Sequence, residues 1–137
     1  MSVLTHPNLI QISDYGKTAD GSPYFVMEYL DGIGLSERIK QTGRVPLEQA
    51  LPIFSQIADA LEHAHSKSLI HRDLKPSNIM LIGENHDFPK VLDLGIAKIV
   101  TDGLDEEHLQ LTMTGEIFGS PLYMSPEQCQ GAQVDAR

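Results

Sequence analysis

Cysteine is almost missing from these 137 residues: Cys129 stands alone, so no disulfide can form within the chain. No Cys/His cluster has metal-site spacing. His63 and His65 lie two apart and face different directions on a helix, as solvated or packed histidines do. No run of about 18 apolar residues is present to span a bilayer, and the N-terminus lacks the basic-then-apolar order of a signal peptide. A cytoplasmic location with no membrane segment in this chain is therefore expected. Basic residues are scarce, 10 Lys+Arg against 19 Asp+Glu, and the net charge of −9 repels phosphate backbones, which argues against a nucleic-acid partner. Internal repeats and low-complexity tracts are absent as well, and "DEEH" at 105–108 is too short for an acidic tail. What remains, 41% apolar residues in a chain of this length, suits one globular core.

The pattern of what is present predicts a mixed α+β chain. "NLIQISDY" and "PYFVMEYL" read as two strands, joined by "GKTADGSP" with Asp20-Gly21 as the turn signal. The "GKT" in that link does not make a phosphate-binding P-loop, since the position five before Gly16 holds Gln11 where the motif needs glycine. Gly32 and Gly34 predict a flexible connection, followed by a short helix from Leu35 to Gln41 that stops at Gly43. From Pro46 to Ser66, Leu47, Ala50, Leu51, Phe54, Ile57, Ala58, Leu61 and Ala64 recur at spacings of three and four, which predicts a long core helix with that stripe inward. Pro52 inside it cannot donate to the Glu48 carbonyl, so a kink or distorted first turn is expected near Leu51. "NIMLI" and "KVLDL" predict a second hairpin, and from Gly95 to Gly119 periodicity disappears, as in a functional or disordered loop.

Chemistry concentrates in "HRDLKPSN", residues 71–78, between the long helix and the second hairpin. Asp73 can accept a hydroxyl proton, Lys75 can neutralise a phosphoryl oxygen, and Asn78 can offer a carbonyl oxygen to a hard cation such as Mg²⁺. Asp93 follows fifteen residues later in "VLDLG", at a strand end, with Gly95 two residues on to turn the backbone away. A base, a cation and two oxygen ligands on separate loops suit phosphoryl transfer from a nucleotide to a hydroxyl.

These segments resemble the eukaryotic-like Ser/Thr protein kinases of bacterial type, whose chemistry also serves as a general template for phosphoryl transfer. "HRDLKPSN" is similar to the catalytic loop, "DLG" to the metal-binding DFG turn, and "SPE" at 125–127 to the APE that closes the activation segment. The resemblance implies a partial kinase-like α+β fold, with a small-lobe hairpin remnant over residues 1–30 and the first part of a mainly helical large lobe over 31–137. It implies ATP and Mg²⁺ as cofactors and protein Ser/Thr hydroxyls as acceptors. Asp73 would be the catalytic base, Asn78 and Asp93 would hold Mg²⁺, and Lys75 would meet the transferring phosphate. Met27 would be the gatekeeper before a hinge at Glu28, Tyr29 and Leu30, and Met80 would lie under the adenine; both methionines suit a core equally well. Arg72 resembles the arginine that pairs with an activation-loop phosphate, for which Thr112 and Thr114 are candidate sites. Ser120 stands in the place of the threonine in GT-x-x-Y-M-A-P-E. Leu94 replaces the phenylalanine of DFG in the same apolar slot, and Gly34 stands where relatives carry a ribose-contacting side chain.

The resemblance runs from "HPNLI" to "VDAR", about half of a kinase domain of roughly 250 residues. Before His6 no room remains for the glycine-rich loop, the strand lysine and the helix glutamate. The arginine that pairs Glu127 in the family would come after Arg137, so Glu127 is expected to be unpaired. Three readings follow: a fragment of an active Ser/Thr kinase, inactive by itself; a non-catalytic chain acting by protein–protein interaction; and a small-molecule phosphotransferase. The last is disfavoured because those enzymes resemble H-G-D-x-H-x-x-N, whereas this chain has Lys75 and "DLG".

Overall fold

A computed structural model describes residues 4–94, 121–132 and 134–136. Thr112, Thr114 and Ser120 lie outside the described residues.

The first hairpin forms as its turn chemistry predicts. Strands β1 (Ile12–Lys17) and β2 (Pro23–Met27) pair antiparallel, with Gly21 at φ 86° in the connection. β1 starts four residues later than the apolar pattern suggests. Residues 8–10 instead reach across the molecule: Val91 donates from its amide to the Asn8 carbonyl, and Ile10 donates to the Val91 carbonyl. Asn8, buried, also donates from Nδ2 to the Pro89 carbonyl at 2.8 Å and to Gln56 Oε1 at 3.1 Å. Those long-range bonds outweigh local strand propensity because every buried backbone group needs a partner.

The second sheet has the order β3 (Gly32–Gly34), β4 (Ile79–Ile82), β5 (Phe88–Val91), both pairings antiparallel. Gly32 and Gly34 are thus a strand rather than a flexible link. Glycine is required at 32 because a Cβ there would press into the Leu81 carbonyl oxygen. β4 alternates strictly, with Ile79 and Leu81 inward, and β5 follows with Pro89 and Val91. Pro89 is tolerated because β5 ends the sheet order and a proline lacks only a donor.

Helix α1 (Leu35–Thr42) ends at Gly43, whose φ of 75° is open to glycine at little cost and whose amide donates to the Ile39 carbonyl. Helix α2 (Leu47–Ser66) begins after Pro46 and remains helical through Pro52. Pro52 is the sixth residue of α2, and Gln56 caps the proline's own carbonyl from its side chain.

The predicted inward stripe of α2 is rotated. Ile53, Ile57, Ala60 and Ala64 are the buried positions, at spacings of four, three and four, while Leu47, Leu51 and Phe54 are more than half exposed and Ala58 is exposed. Small alanines at 60 and 64 let the helix lie close on β5, whereas the larger residues face away. The core joins this face to Leu9, Leu35, Ile79, Leu81, Val91 and Leu94. Leu94, buried, fills the apolar slot assigned to it.

Leu81 is fully buried on the central strand, so Leu81→Ala is expected to destabilise the fold by about 2–5 kcal/mol through lost transfer energy and the cavity left behind. A urea midpoint reads this directly; a loss below about 0.5 kcal/mol is the size of a surface substitution and would contradict the core assignment.

Candidate active site

After α2 the chain turns into a loop that runs to a short 3₁₀ turn, Pro76–Asn78, and then into β4. Asp73, Lys75 and Asn78 come together there. Lys75 Nζ lies 2.6 Å from Asp73 Oδ2, and Asn78 Nδ2 donates to the Asp73 carbonyl at 2.9 Å and to Asp73 Oδ2 at 3.3 Å. Asn78 is buried, and the commitment of its Nδ2 to Asp73 leaves Oδ1 as the end that can face a ligand.

The loop is fixed from behind by His71. Its Nε2 pairs with the Leu92 carbonyl at 2.9 Å, and its Nδ1 accepts from the Asp73 amide at 3.3 Å, an arrangement that needs the Nε2–H tautomer. The Asp73 amide also donates to the His71 carbonyl at 2.9 Å across Arg72, which has φ 65°. That is a left-handed γ-turn, a conformation of order 1–3 kcal/mol above the common ones for a side chain like arginine. The Arg72 side chain is exposed.

Asp93 is brought to the same end of the sheet. The Leu92 amide donates to the Asn78 carbonyl at 2.8 Å, so Asp93 is one residue from a backbone bonded to Asn78. Asp93 itself turns out of β5 at φ 58°, a region aspartate tolerates better than most residues, and is exposed. Two oxygen donors, Asn78 Oδ1 and the Asp93 carboxylate, fit a small hard cation that keeps waters and phosphate oxygens for its other positions. Among the described residues no group of three or more His, Cys, Asp or Glu is placed to hold a metal.

The hinge residues follow β2. Met27 ends that strand, Tyr29 is 91% exposed, and Leu30 is half-buried. Glu28 is anchored: its amide donates to the Gln11 carbonyl at 3.1 Å, and its Oε1 accepts from the Gln11 amide at 2.9 Å and from Lys90 Nζ at 2.7 Å. Met80, half-buried on β4, sits in register between Gly34 and Lys90. Lys90 was not anticipated. The available signal was a single cation between the inward residues Pro89 and Val91 on an otherwise apolar strand.

Burial disfavours the Glu28 carboxylate, but the Lys90 hydrogen bond, the Gln11 amide and the Lys90 charge outweigh it and hold the carboxyl below its ordinary range. A depressed folded-state value means that the stabilisation is present above the ordinary glutamate range and disappears as the pH falls through the folded value. With 33% of the Glu28 side chain exposed, solvent limits the contribution to at most about 1 kcal/mol. Glu28→Gln is therefore expected to cost up to that amount at neutral pH and nothing in acid, where the wild-type carboxyl is itself neutral. Melting curves across the acid range check this, and a gap between the two proteins that does not close would count against the ion pair.

Ser125, Pro126 and Glu127 open helix α3 (Pro126–Cys129) through a reciprocal cap: Ser125 Oγ accepts from the Gln128 amide, and Gln128 Oε1 accepts from the Ser125 amide. Glu127 is not without a partner, so the expectation that it stands unpaired does not hold.

A family model described as the protein kinase domain matches residues 1–137. The chain belongs to the protein kinase domain family. This kinase-family chain is 44% identical over 138 residues to the serine/threonine-protein kinase pkn3 of Myxococcus xanthus, with 99% of the chain and 25% of that protein aligned. Against the serine/threonine-protein kinase PknB of Mycobacterium leprae the identity is 38%, covering 99% of the chain and 21% of that protein. The crystal structure of the Mycobacterium tuberculosis PknI kinase domain superposes with a TM-score of 0.71 at 28% identity, covering 98% of the chain and 46% of the solved one. Rad53 1-466, solved in complex with AMP-PNP, superposes with a TM-score of 0.64 at 31% identity over 69% of the chain. The kinase-family chain thus spans a fifth to a quarter of the curated relatives it matches. Its two small antiparallel sheets and two main helices are part of a kinase-like α+β fold.

Proposed function

We propose that this chain carries the catalytic loop, the metal-binding turn and the hinge of an ATP-dependent Ser/Thr protein kinase. The observation that supports this most is the mutual contact of Asp73, Lys75 and Asn78 on one loop, with the Asn78 backbone bonded to the residue before Asp93. Residues 1–30 read as the small-lobe remnant and 31–137 as the incomplete large lobe. The names of the relatives, serine/threonine-protein kinases, favour Ser/Thr as acceptor, as does Lys75 at its place in the loop. The AMP-PNP complex of Rad53 favours an adenine nucleotide as donor.

In this reading Asp73 Oδ2 accepts the proton of the acceptor hydroxyl, and Lys75 Nζ, already beside that carboxylate, neutralises a non-bridging oxygen of the phosphate being transferred. Asn78 Oδ1 and Asp93 would hold Mg²⁺, which when bound would offset the charge of the phosphate oxygens. The Glu28–Leu30 backbone pairs with the adenine, Met27 is the gatekeeper before that hinge, and Met80 lies under the adenine. Arg72, on the catalytic loop, pairs with a phosphate on Thr112 or Thr114, and Ser120 and Glu127 belong to the end of the activation segment and the acceptor side.

The test is transfer from labelled ATP by the kinase domain that contains this chain, followed by identification of the labelled amino acid. Label on Ser or Thr, dependent on Mg²⁺ and lost in Asp93→Ala, is expected; label confined to tyrosine, or none at all, overturns the reading.

A second reading, partner binding without catalysis, has one observation in its favour. An apolar groove of about 490 Å³ opens between α1, α2 and the catalytic loop, lined in part by Leu35, Ile39, Val45, Phe54, Ile57 and Tyr123. It continues the exposed Leu47, Leu51 and Phe54 face of α2. Capture of a defined partner that does not respond to nucleotide, and is lost in Phe54→Asp, would favour it.

A further inference from the structure

The peptide unit between Arg72 and Asp73 is held on both of its polar edges. On the nitrogen side, the Asp73 amide is bonded to His71 through the carbonyl at 2.9 Å and Nδ1 at 3.3 Å. On the oxygen side, the Arg72 carbonyl accepts from Gln128 Nε2, which comes from a helix 56 residues further along the chain. This unit needs holding because Arg72 sits at φ 65°, and a peptide in that region relaxes to common conformations when its bonds are lost. Rotation of the unit would carry the Asp73 side chain with it.

We propose that Gln128 is a positioning residue for Asp73, linking the helix after "SPE" to the strained peptide that aims the carboxylate. The proposal rests on the reading of Asp73 as the base. The side-chain amide of Gln128 is suited to two tasks at once. Its Oε1 closes the α3 cap by accepting from the Ser125 amide at 3.1 Å, and its Nε2 donates to the Arg72 carbonyl. Neither glutamate nor a hydrocarbon can do both. The contact joins the end of the activation segment to the catalytic loop, so displacement of α3 by acceptor binding or by modification upstream would be felt at Asp73.

The two tasks separate by substitution, in the complete kinase domain that contains this chain. Gln128→Glu keeps an acceptor for the Ser125 amide but has no proton to give Arg72. Ser125→Ala removes the hydroxyl half of the cap and leaves the Gln128–Arg72 bond in place. The expected results are opposite. Q128E melts close to wild type, keeps its KM for ATP and for a peptide acceptor, and loses about 10- to 100-fold in kcat, the range that ångström-scale misplacement of a reacting group produces. S125A melts lower and keeps its kcat. In hydrogen exchange, the Asp73 amide of Q128E exchanges faster than in wild type while the Ala60 amide in α2 is unchanged. A Q128E kcat within about twofold of wild type, well short of such misplacement, overturns the proposal. So does an equal kcat loss in S125A, a Q128E protein that melts as early as S125A, or an Asp73 amide that exchanges at the wild-type rate. The exchange readout needs no activity, so a failed bridge is distinguishable from a failed kinase reading, which instead shows as wild-type protein without transfer.

Discussion

Asp73→Asn in the kinase domain that contains this chain is expected to reduce phosphate transfer to a protein acceptor by about 10²–10⁴-fold, the usual contribution of a positioned general base. ATP binding is expected to survive. The substitution is nearly isosteric, and the bonds that place the residue are made by its backbone: the amide to His71 and the carbonyl to Asn78 Nδ2. An asparagine oxygen can still accept from Asn78, while the ion pair with Lys75 is lost. The freed lysine can still meet a phosphate, so nucleotide affinity is expected to be unchanged or slightly raised. Incorporation of labelled phosphate, with calorimetric titration of ATP alongside, checks both halves. Undiminished incorporation removes Asp73 from the mechanism, whereas loss of transfer together with loss of ATP binding points to a structural role.

The 137-residue chain purified by itself is expected to show no measurable transfer. Positioning supplies about 7–11 kcal/mol of a barrier when reacting groups are well held, and kinases place the γ-phosphate largely with a glycine-rich loop. No Gly-x-Gly-x-x-Gly sequence occurs in this chain. Asp73, Lys75, Asn78 and Asp93 can assemble the acceptor and metal side of the site, but they offer nothing that covers the triphosphate from the opposite face. Exposure of Leu47, Leu51 and Phe54 beside the apolar groove adds a second consequence, association of the isolated chain with itself or with other apolar surface. A labelled-ATP assay on chain shown to be monomeric by sedimentation is the measurement. Robust transfer there would mean that these 137 residues suffice for positioning.

The 71–78 loop was legible in the sequence because its groups are local: Asp73, Lys75 and Asn78 lie within six residues, and their contacts follow from a tight loop and one 3₁₀ turn. The first hairpin was legible for a related reason, since turn residues act over short spans, whereas the last strand of the second hairpin runs over Phe88–Val91 rather than the expected 90–94. Helix α2 shows the limit. Its existence and ends follow from periodicity, yet its inward face was misjudged, because alanine reads as a weak apolar signal and Leu47, Leu51 and Phe54 as strong ones. Tight approach to β5 selects the small residues Ala60 and Ala64, and that selection depends on a strand more than twenty residues away. Lys90 beneath Glu28 and Gln128 above Arg72 were missed for the same cause. Each bond joins residues more than fifty positions apart, and spacing carries no trace of them, although the Ser125–Gln128 cap was readable as a motif.

The amino-acid order by itself determined the two main helices, the first hairpin turn and the identity of the groups able to move a proton or accept a cation, because these depend on neighbours within one or two helical turns. Tertiary structure alone decided which face of α2 is buried, that Gly32–Gly34 is a strand, and how Asp73 is aimed. Those outcomes depend on which distant backbone groups satisfy one another, and only the folded chain brings His71, Leu92, Asn78 and Gln128 within bonding distance.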